Sequence, residues 1–167
     1  STIVFSSILH EIYSYTNYCG SRFVKATVEE TLYNAIKSLN KGGRIIIRDG
    51  IRVDAKNKVV VKLKDRYAEK WLDTFIEDFV AFGEVYAKED IRKVDKGEYV
   101  ATLDLAREII FHMSWTLADL GSGKVLNDNY QYEKEETFGY FTLEEFKETA
   151  ERLGCKVIKA ESYLEEG

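Results

Sequence analysis

Short unbroken runs of apolar residues mark the candidate strands of this chain. Residues 2–7 (TIVFSS) and 44–49 (RIIIRD) form two such runs, without the apolar and polar alternation of a half-exposed strand. Continuous apolar strands are typical of parallel sheets that are covered on both faces. A third run at 156–160 directly follows the last helical segment. The pattern therefore predicts a sheet that the chain enters at its first residues and rejoins twice.

Helical spacing separates the first two runs. Apolar positions recur at intervals of three and four over residues 28–40, where Val28, Leu32, Ala35, Ile36 and Leu39 share one face. Thr27 and Glu30 have the spacing of a capping box, which predicts the start of this helix. A Gly-Gly pair at 42–43 ends it. The order strand, helix, strand predicts a right-handed parallel crossover.

The middle of the chain is less regular. Residues 53–63 fit a hairpin, and residues 84–100 are charged and show no clear period. Asp65 is expected to cap an apolar helix whose two stripes are wide enough for burial on more than one side. Residues 102–120 predict a further helix.

The last third predicts one exposed segment and one capped helix. Residues 127–140 are polar and rich in tyrosine, which favours an exposed loop or irregular cap. Thr142 and Glu145 form a second capping box, and Gly154 stands where a helix C-cap is expected.

Near the start of the chain, residues 8–18 predict a loop or a short helix. No repeat or flexible linker divides the sequence, so residues 1–167 are interpreted as one α/β domain, with 51–140 inserted as a cap.

Composition and charge exclude several classes of protein. The chain has 167 residues, of which 45% are hydrophobic and 32% charged, as expected of a folded globular domain. Its net charge of -5 gives no global field for a polyanion, so nucleic acid is not indicated as a partner. No apolar run approaches the roughly 18 residues of a membrane helix, and no leader is evident. Two distant cysteines, expected to be buried thiols, favour a reducing, cytoplasmic setting.

The residues that follow the first two strands are the leading candidates for chemistry. Ligands of open parallel sheets bind beyond the carboxyl ends of the strands. His10 and Glu11 follow the first strand, while Arg48 and Asp49 end the second. A histidine near a carboxylate can act as an acid–base pair or as an orienting hydrogen-bond pair. A histidine satisfied by backbone groups is the alternative interpretation.

Two other groups carry weaker signals. His112 lies in an apolar helical segment and is interpreted as a satisfied core histidine, and with two histidines in the chain a transition-metal site is not expected. Tyr130, Tyr132 and their neighbouring glutamates form an acidic aromatic segment. It could line a pocket for a cationic or hydroxylated substrate, or it could be a solvated loop.

Three of these segments, taken in order, resemble a known enzyme family. The segment Ser6–Tyr15 (SSILHEIYSY), the segment Leu39–Gly50 (LNKGGRIIIRDG) and the helix-to-strand unit 141–157 are similar to the C-terminal half of class I S-adenosylmethionine-dependent methyltransferases. In that family a fourth strand ends at a polar active-site segment, and a Gly-Gly-Arg turn opens the fifth strand. The resemblance implies a partial Rossmann-like parallel sheet, strands four to six, flanked by helices and interrupted by a largely helical insertion.

The resemblance also implies roles for the candidate residues. Ser6 and Ser7 would lie near the methionine portion of S-adenosylmethionine, and His10 and Glu11 would orient or deprotonate the methyl acceptor. Tyr13, Arg48 and Asp49 would border the acceptor pocket, with Tyr130 and Tyr132 as further substrate contacts. The acceptor, a small molecule or a macromolecule with an oxygen or nitrogen nucleophile, is not identified by the sequence.

The cofactor motifs of the family are missing from the sequence. It contains no glycine-rich strand-to-helix turn and no ribose-binding acidic residue after a second strand. The chain is therefore expected to be part of a larger methyltransferase domain and to be inactive alone. The uncovered edge of the first strand is expected either to favour self-association, because a bare edge is a template for pairing, or to be covered by the insertion.

Two other hypotheses remain open. A degenerate methyltransferase fold that binds a partner without catalysis fits the missing glycine-rich turn. Another Rossmann-like enzyme, such as a nucleotide-dependent oxidoreductase, would share the parallel sheet but lacks its own fingerprint here.

Overall fold

Two sheets of different types organise the chain, one in each of two structural units. A computed structural model describes residues 1–53, 56–121 and 128–163. Unit 1 comprises residues 1–52 and 138–167, and unit 2 comprises residues 53–137. In chain order the elements are β1 (Thr2–Ser6), α1 (Leu9–Tyr15), α2 (Lys25–Lys37), β2 (Arg44–Arg48), β3 (Lys58–Lys62), α3 (Arg66–Asp78), β4 (Ile91–Asp95), β5 (Glu98–Thr102), α4 (Leu103–Gly121), α5 (Asp128–Glu133) and α6 (Leu143–Arg152).

Unit 1 contains the predicted parallel pair. Strands β1 and β2 run parallel in continuous register, from Thr2 opposite Arg44 to Ser6 opposite Arg48. Helices α1 and α2 lie between them in the chain, which confirms the strand, helix, strand order. The segment 8–18 contains a short helix, α1. Because β1 and β2 are in register, their carboxyl ends meet at one edge, and this edge positions the candidate site.

The start of α2 differs from the prediction. The helix begins at Lys25, so Thr27 lies in its first turn and does not cap it. The Thr27 hydroxyl donates to the Val24 carbonyl at 2.8 Å. The helix also ends earlier than predicted, at Lys37, so it is shifted by three residues toward the N-terminus relative to the predicted 28–40. The second predicted box is confirmed, since Thr142 accepts from the backbone N–H of Glu145 at 3.1 Å and caps α6.

The predicted third strand at 156–160 is wrong. These residues have no regular secondary structure, and Ile158 is 83% exposed. Within the described residues β1 and β2 are hydrogen-bonded as strands only to each other. A strand needs a neighbour to accept and donate its backbone hydrogen bonds, and β-favouring residues alone do not supply one.

Unit 2 is a three-stranded antiparallel sheet packed with helices, in the order β3, β5, β4. Of the segment 53–63, which was expected to fit a hairpin, residues 58–62 form β3 and pair with β5, from Lys58 opposite Thr102 to Lys62 opposite Glu98, while residues 54 and 55 lie outside the described residues. The charged segment 84–100 contains the true hairpin, β4 and β5. The insertion therefore combines this sheet with helices α3, α4 and α5, and the chain as a whole is a mixed α/β protein.

Helix α3 forms the core of unit 2. As predicted, Asp65 caps it, accepting from the backbone N–H groups of Tyr67 and Ala68 at 2.8 and 2.9 Å. The Trp71 ring stacks on Phe75 with centroids 4.8 Å apart. Three side chains of α3 are fully buried: Trp71, Leu72 and Phe75.

Two further expectations about exposure are wrong. Residues 127–140 are not an exposed loop: within their described part, 128–133 form α5 and Tyr130 and Tyr140 are buried. The cysteines are not buried, since Cys19 is exposed and Cys155 is half-buried, although both are free thiols.

Among the described residues, no helix combines the length and apolar character needed to cross a bilayer.

Candidate active site at the carboxyl edge of the parallel strands

The site begins where the chain leaves β1 and β2. Ser7 follows β1 in the left-handed region, with φ of +51°, a conformation that non-glycine residues seldom adopt. Its backbone N–H donates to the Arg48 carbonyl at 2.8 Å, which continues the ladder one residue past β1. The chain then turns at once into α1. This sharp turn holds the start of α1 against the end of β2.

Asp49, the first residue after β2, anchors the start of α1. Its side chain is only 1% exposed. Oδ2 accepts from the backbone N–H groups of Ile8 and Leu9 at 3.1 and 2.7 Å, and Oδ1 accepts from Gly50 at 2.8 Å. Ile8 is the N-cap residue of α1 and has no capping side chain of its own. Asp49 therefore caps α1 from a different strand, and the positive end of the helix favours its negative charge.

The same carboxylate binds His10. His10 Nδ1 lies 2.5 Å from Asp49 Oδ1, within hydrogen-bond distance, and both side chains are buried. Because the carboxylate already accepts three backbone N–H groups, it is held as an acceptor and favours a proton on Nδ1. In the neutral ring with Nδ1 protonated, the basic lone pair is on Nε2.

Aromatic side chains of the segment 138–141 enclose this pair. The Phe138 ring lies 4.6 Å from the His10 ring, and Tyr140 packs 5.5 Å from Tyr13. Burial, and next the charge of Asp49, raise the pKa of the Tyr140 hydroxyl far above its usual value. The hydroxyl therefore stays protonated beside the carboxylate. Among the described residues, no group forms a hydrogen bond with it. The low polarity of this wall strengthens the interaction between His10 and Asp49.

The structure divides the predicted site residues into three groups. His10 and Asp49 are in direct contact, so the histidine has a carboxylate partner 39 residues away in the sequence. Ser6, Ser7, Glu11 and Arg48 lie at the same edge, and Glu11 is half-buried while the other three are exposed. Tyr13 is buried among aromatic rings and helps to support the wall.

Tyr130 and Tyr132 lie in unit 2 and in different environments. Tyr130 is buried and its hydroxyl donates to Asp78 Oδ2 at 3.2 Å, and burial together with that carboxylate raises the pKa of the phenol. Tyr132 is exposed. The two side chains therefore do not form one aromatic surface, and Tyr130 has the contacts of a core residue.

The sequence analysis missed Phe138, Tyr140 and the close approach at Gly50. A Cβ atom on Gly50 would lie 2.7 Å from the Phe138 carbonyl oxygen, so this position requires glycine. The only local signal for this contact is that Gly50 directly follows the candidate Asp49.

Comparison with known proteins identifies no relative of this chain. No family model, no curated protein and no solved structure matches the chain. The site must therefore be interpreted from its own residues.

Proposed function

We propose that this chain carries the acid–base part of an S-adenosylmethionine-dependent methyltransferase site, with His10 as the base and Asp49 as its positioning residue. The observation that supports this most strongly is the buried bond between His10 and Asp49 at the shared carboxyl edge of β1 and β2. Ligands of parallel α/β sheets bind at this edge. The resemblance of the segments 6–15 and 39–50 to the methyltransferase family supplies the reaction class.

Proton handling is the contribution that these residues can make. Bound S-adenosylmethionine supplies a methyl group on a positively charged sulfur. An acceptor O–H or N–H must lose its proton as it is methylated, and in this proposal His10 Nε2 receives that proton. Asp49 then stabilises the imidazolium through Nδ1–H, and its backbone hydrogen bonds keep it from rotating away. General-base catalysis of this kind contributes about 10²–10⁴ in rate.

The residues present fit one part of the cofactor. Ser6 and Ser7 offer exposed hydroxyls at the edge of the site, which suits the polar methionine end of S-adenosylmethionine. The sequence has no glycine-rich turn, so no residue of this chain is assigned to the nucleoside.

One observation favours the second candidate function, a non-catalytic interaction module. Val4 and Ile46 are partners in the parallel register and lie on the same face of the sheet, where they are 60% and 52% exposed. Parallel strands are normally covered on both faces, so an exposed apolar face is typical of a binding surface.

Calorimetric titration with S-adenosylhomocysteine distinguishes the two functions. The full product of the encoding gene and the chain 1–167 are titrated in parallel. The methyltransferase proposal expects saturable binding by the full product and at least 100-fold weaker binding by 1–167, which lacks the nucleoside motifs. Absence of binding by the full product overturns the proposal and favours the interaction module.

Replacing His10 tests its role within that protein. His10→Ala is expected to lower the formation of S-adenosylhomocysteine with hydroxyl and amine acceptors by about 10²–10⁴, because the base is lost. The affinity for S-adenosylhomocysteine should change little. Glu30→Gln, at an exposed position of α2, is the matched control and should leave turnover unchanged. Unchanged turnover in His10→Ala would remove the base from the mechanism.

A further inference from the structure

Helix α4 carries a buried histidine–carboxylate pair in unit 2 that the proposed site does not use. His112 is fully buried, and its Nε2 lies 3.0 Å from Glu108 Oε1, one helical turn away. Glu108 is buried as well, and its other oxygen accepts from the Tyr86 hydroxyl at 3.2 Å. Charged side chains are seldom this deeply buried unless they are paired.

A second carboxylate approaches the opposite nitrogen of the same ring. Glu133, the last residue of α5, places Oε2 at 3.6 Å from His112 Nδ1. The carboxylates therefore flank the ring, one at each nitrogen. This arrangement suits an imidazolium, because both of its nitrogens carry a proton and each N–H can face a negative charge.

Two aromatic rings also pack against the His112 ring. Phe75 and Phe79 of α3 lie 4.9 and 5.2 Å from it, centroid to centroid. In the described part of unit 2, the titratable groups that face His112 are Glu108 and Glu133, with Tyr86 behind Glu108. Burial alone would lower the pKa of His112, but the hydrogen bond to Glu108 and the negative charges of both carboxylates outweigh it, and the pKa is raised.

We infer that Glu108, His112 and Glu133 form a proton-dependent latch that holds helix α5 against helix α4 within unit 2. Loss of the proton leaves a neutral ring between two negative groups, one of which must then face a lone pair. Glu108 is held by Tyr86, whereas the Glu133 side chain is 20% exposed and ends a helix of six residues. Glu133 is therefore the group that leaves, and α5 leaves with it.

The direction of the pH dependence follows from linkage. The pKa of His112 is higher in the closed state than in the opened state, where it returns toward about 6.5. The latch is therefore complete below that opened-state value and is lost as the pH rises through the higher, closed-state value. Between the two values, protection of α5 against opening should fall by up to tenfold per pH unit, since one proton is released.

Hydrogen exchange of the α5 amides between pH 5 and 10, corrected for intrinsic exchange rates, tests the latch in the chain 1–167. Glu133→Gln removes one flanking charge and should move the loss of protection to lower pH. Glu77→Gln, an exposed carboxylate on α3, is the control and should behave as the wild type. A histidine NMR titration in parallel should show His112 as an imidazolium at neutral pH.

Three results would overturn the inference: pH-independent protection of α5, a Glu133→Gln profile that matches the wild type, or a neutral His112 ring at neutral pH. The test does not depend on His112 substitution, which risks unfolding the unit, and it reports on unit 2 whatever the outcome of cofactor titrations.

Discussion

Asp49→Ala is expected to lower the free energy of unfolding of unit 1 by about 3–5 kcal/mol, the cost of removing one partner from a buried charged pair. Four donors lose their acceptor together: the backbone N–H groups of Ile8, Leu9 and Gly50, and His10 Nδ1. Helix α1 has only seven residues and no capping side chain of its own, so it is expected to lose protection first. Natural domains are stable by about 5–15 kcal/mol, which makes this loss a large fraction of the total.

Hydrogen exchange of the α1 amides, together with urea unfolding, measures this effect. Asp49→Asn keeps the shape and one acceptor oxygen, so an intermediate loss is expected. Glu30→Gln on α2 should stay within about 0.5 kcal/mol of the wild type, as exposed substitutions usually do. An Asp49→Ala variant as stable as Glu30→Gln would show that the carboxylate does not organise this edge.

Trp71→Ala is expected to cost unit 2 about 3–5 kcal/mol, the range measured for removing a fully buried aromatic ring. Trp71 is 1% exposed, stacks on Phe75 and meets the Tyr130 ring edge-on at 6.4 Å. Its indole N–H donates to the Thr116 hydroxyl at 2.7 Å, so the substitution also leaves a buried hydroxyl without its donor.

The second tryptophan of the chain provides the matched control. Trp115 is 65% exposed on α4, so Trp115→Ala is expected to change the unfolding free energy by less than about 0.5 kcal/mol. Trp71→Phe retains a stacking ring and should lie between the two. Urea unfolding followed by circular dichroism measures all three variants, and equal losses for the two alanine variants would contradict the assigned core.

Local sequence patterns predicted the strands β1 and β2 and the caps of two helices. The apolar runs of β1 and β2 pair with each other, and Asp65 and Thr142 cap their helices through bonds within one turn. The segment 156–160 has equally favourable residues but no neighbouring strand, so propensity was not sufficient. The pairing of β3 with β5 joins segments about 40 residues apart, and no local signal specifies such a partner.

The site shows the same division between local and distant information. The strand exits identified His10 and Asp49 as candidates because parallel strands share a carboxyl edge. The strand-exit pattern did not specify which carboxylate contacts His10, and the structure shows that it is Asp49, at 2.5 Å. The wall formed by Phe138 and Tyr140 comes from a segment more than 85 residues farther along the chain, so its approach to this edge could not be predicted.

The positions of the protons on the two His10 nitrogens test whether Asp49 orients this ring as a base. A long-range ¹H–¹⁵N NMR titration of the chain resolves two imidazole rings, and the Glu133→Gln variant, which removes a charge beside His112 only, assigns them. If Asp49 orients His10 as a base, Nδ1 remains protonated throughout the titration and only Nε2 gains or loses a proton. A neutral ring protonated on Nε2, or rapid averaging between the two tautomers, would show that Asp49 does not orient His10 as a base.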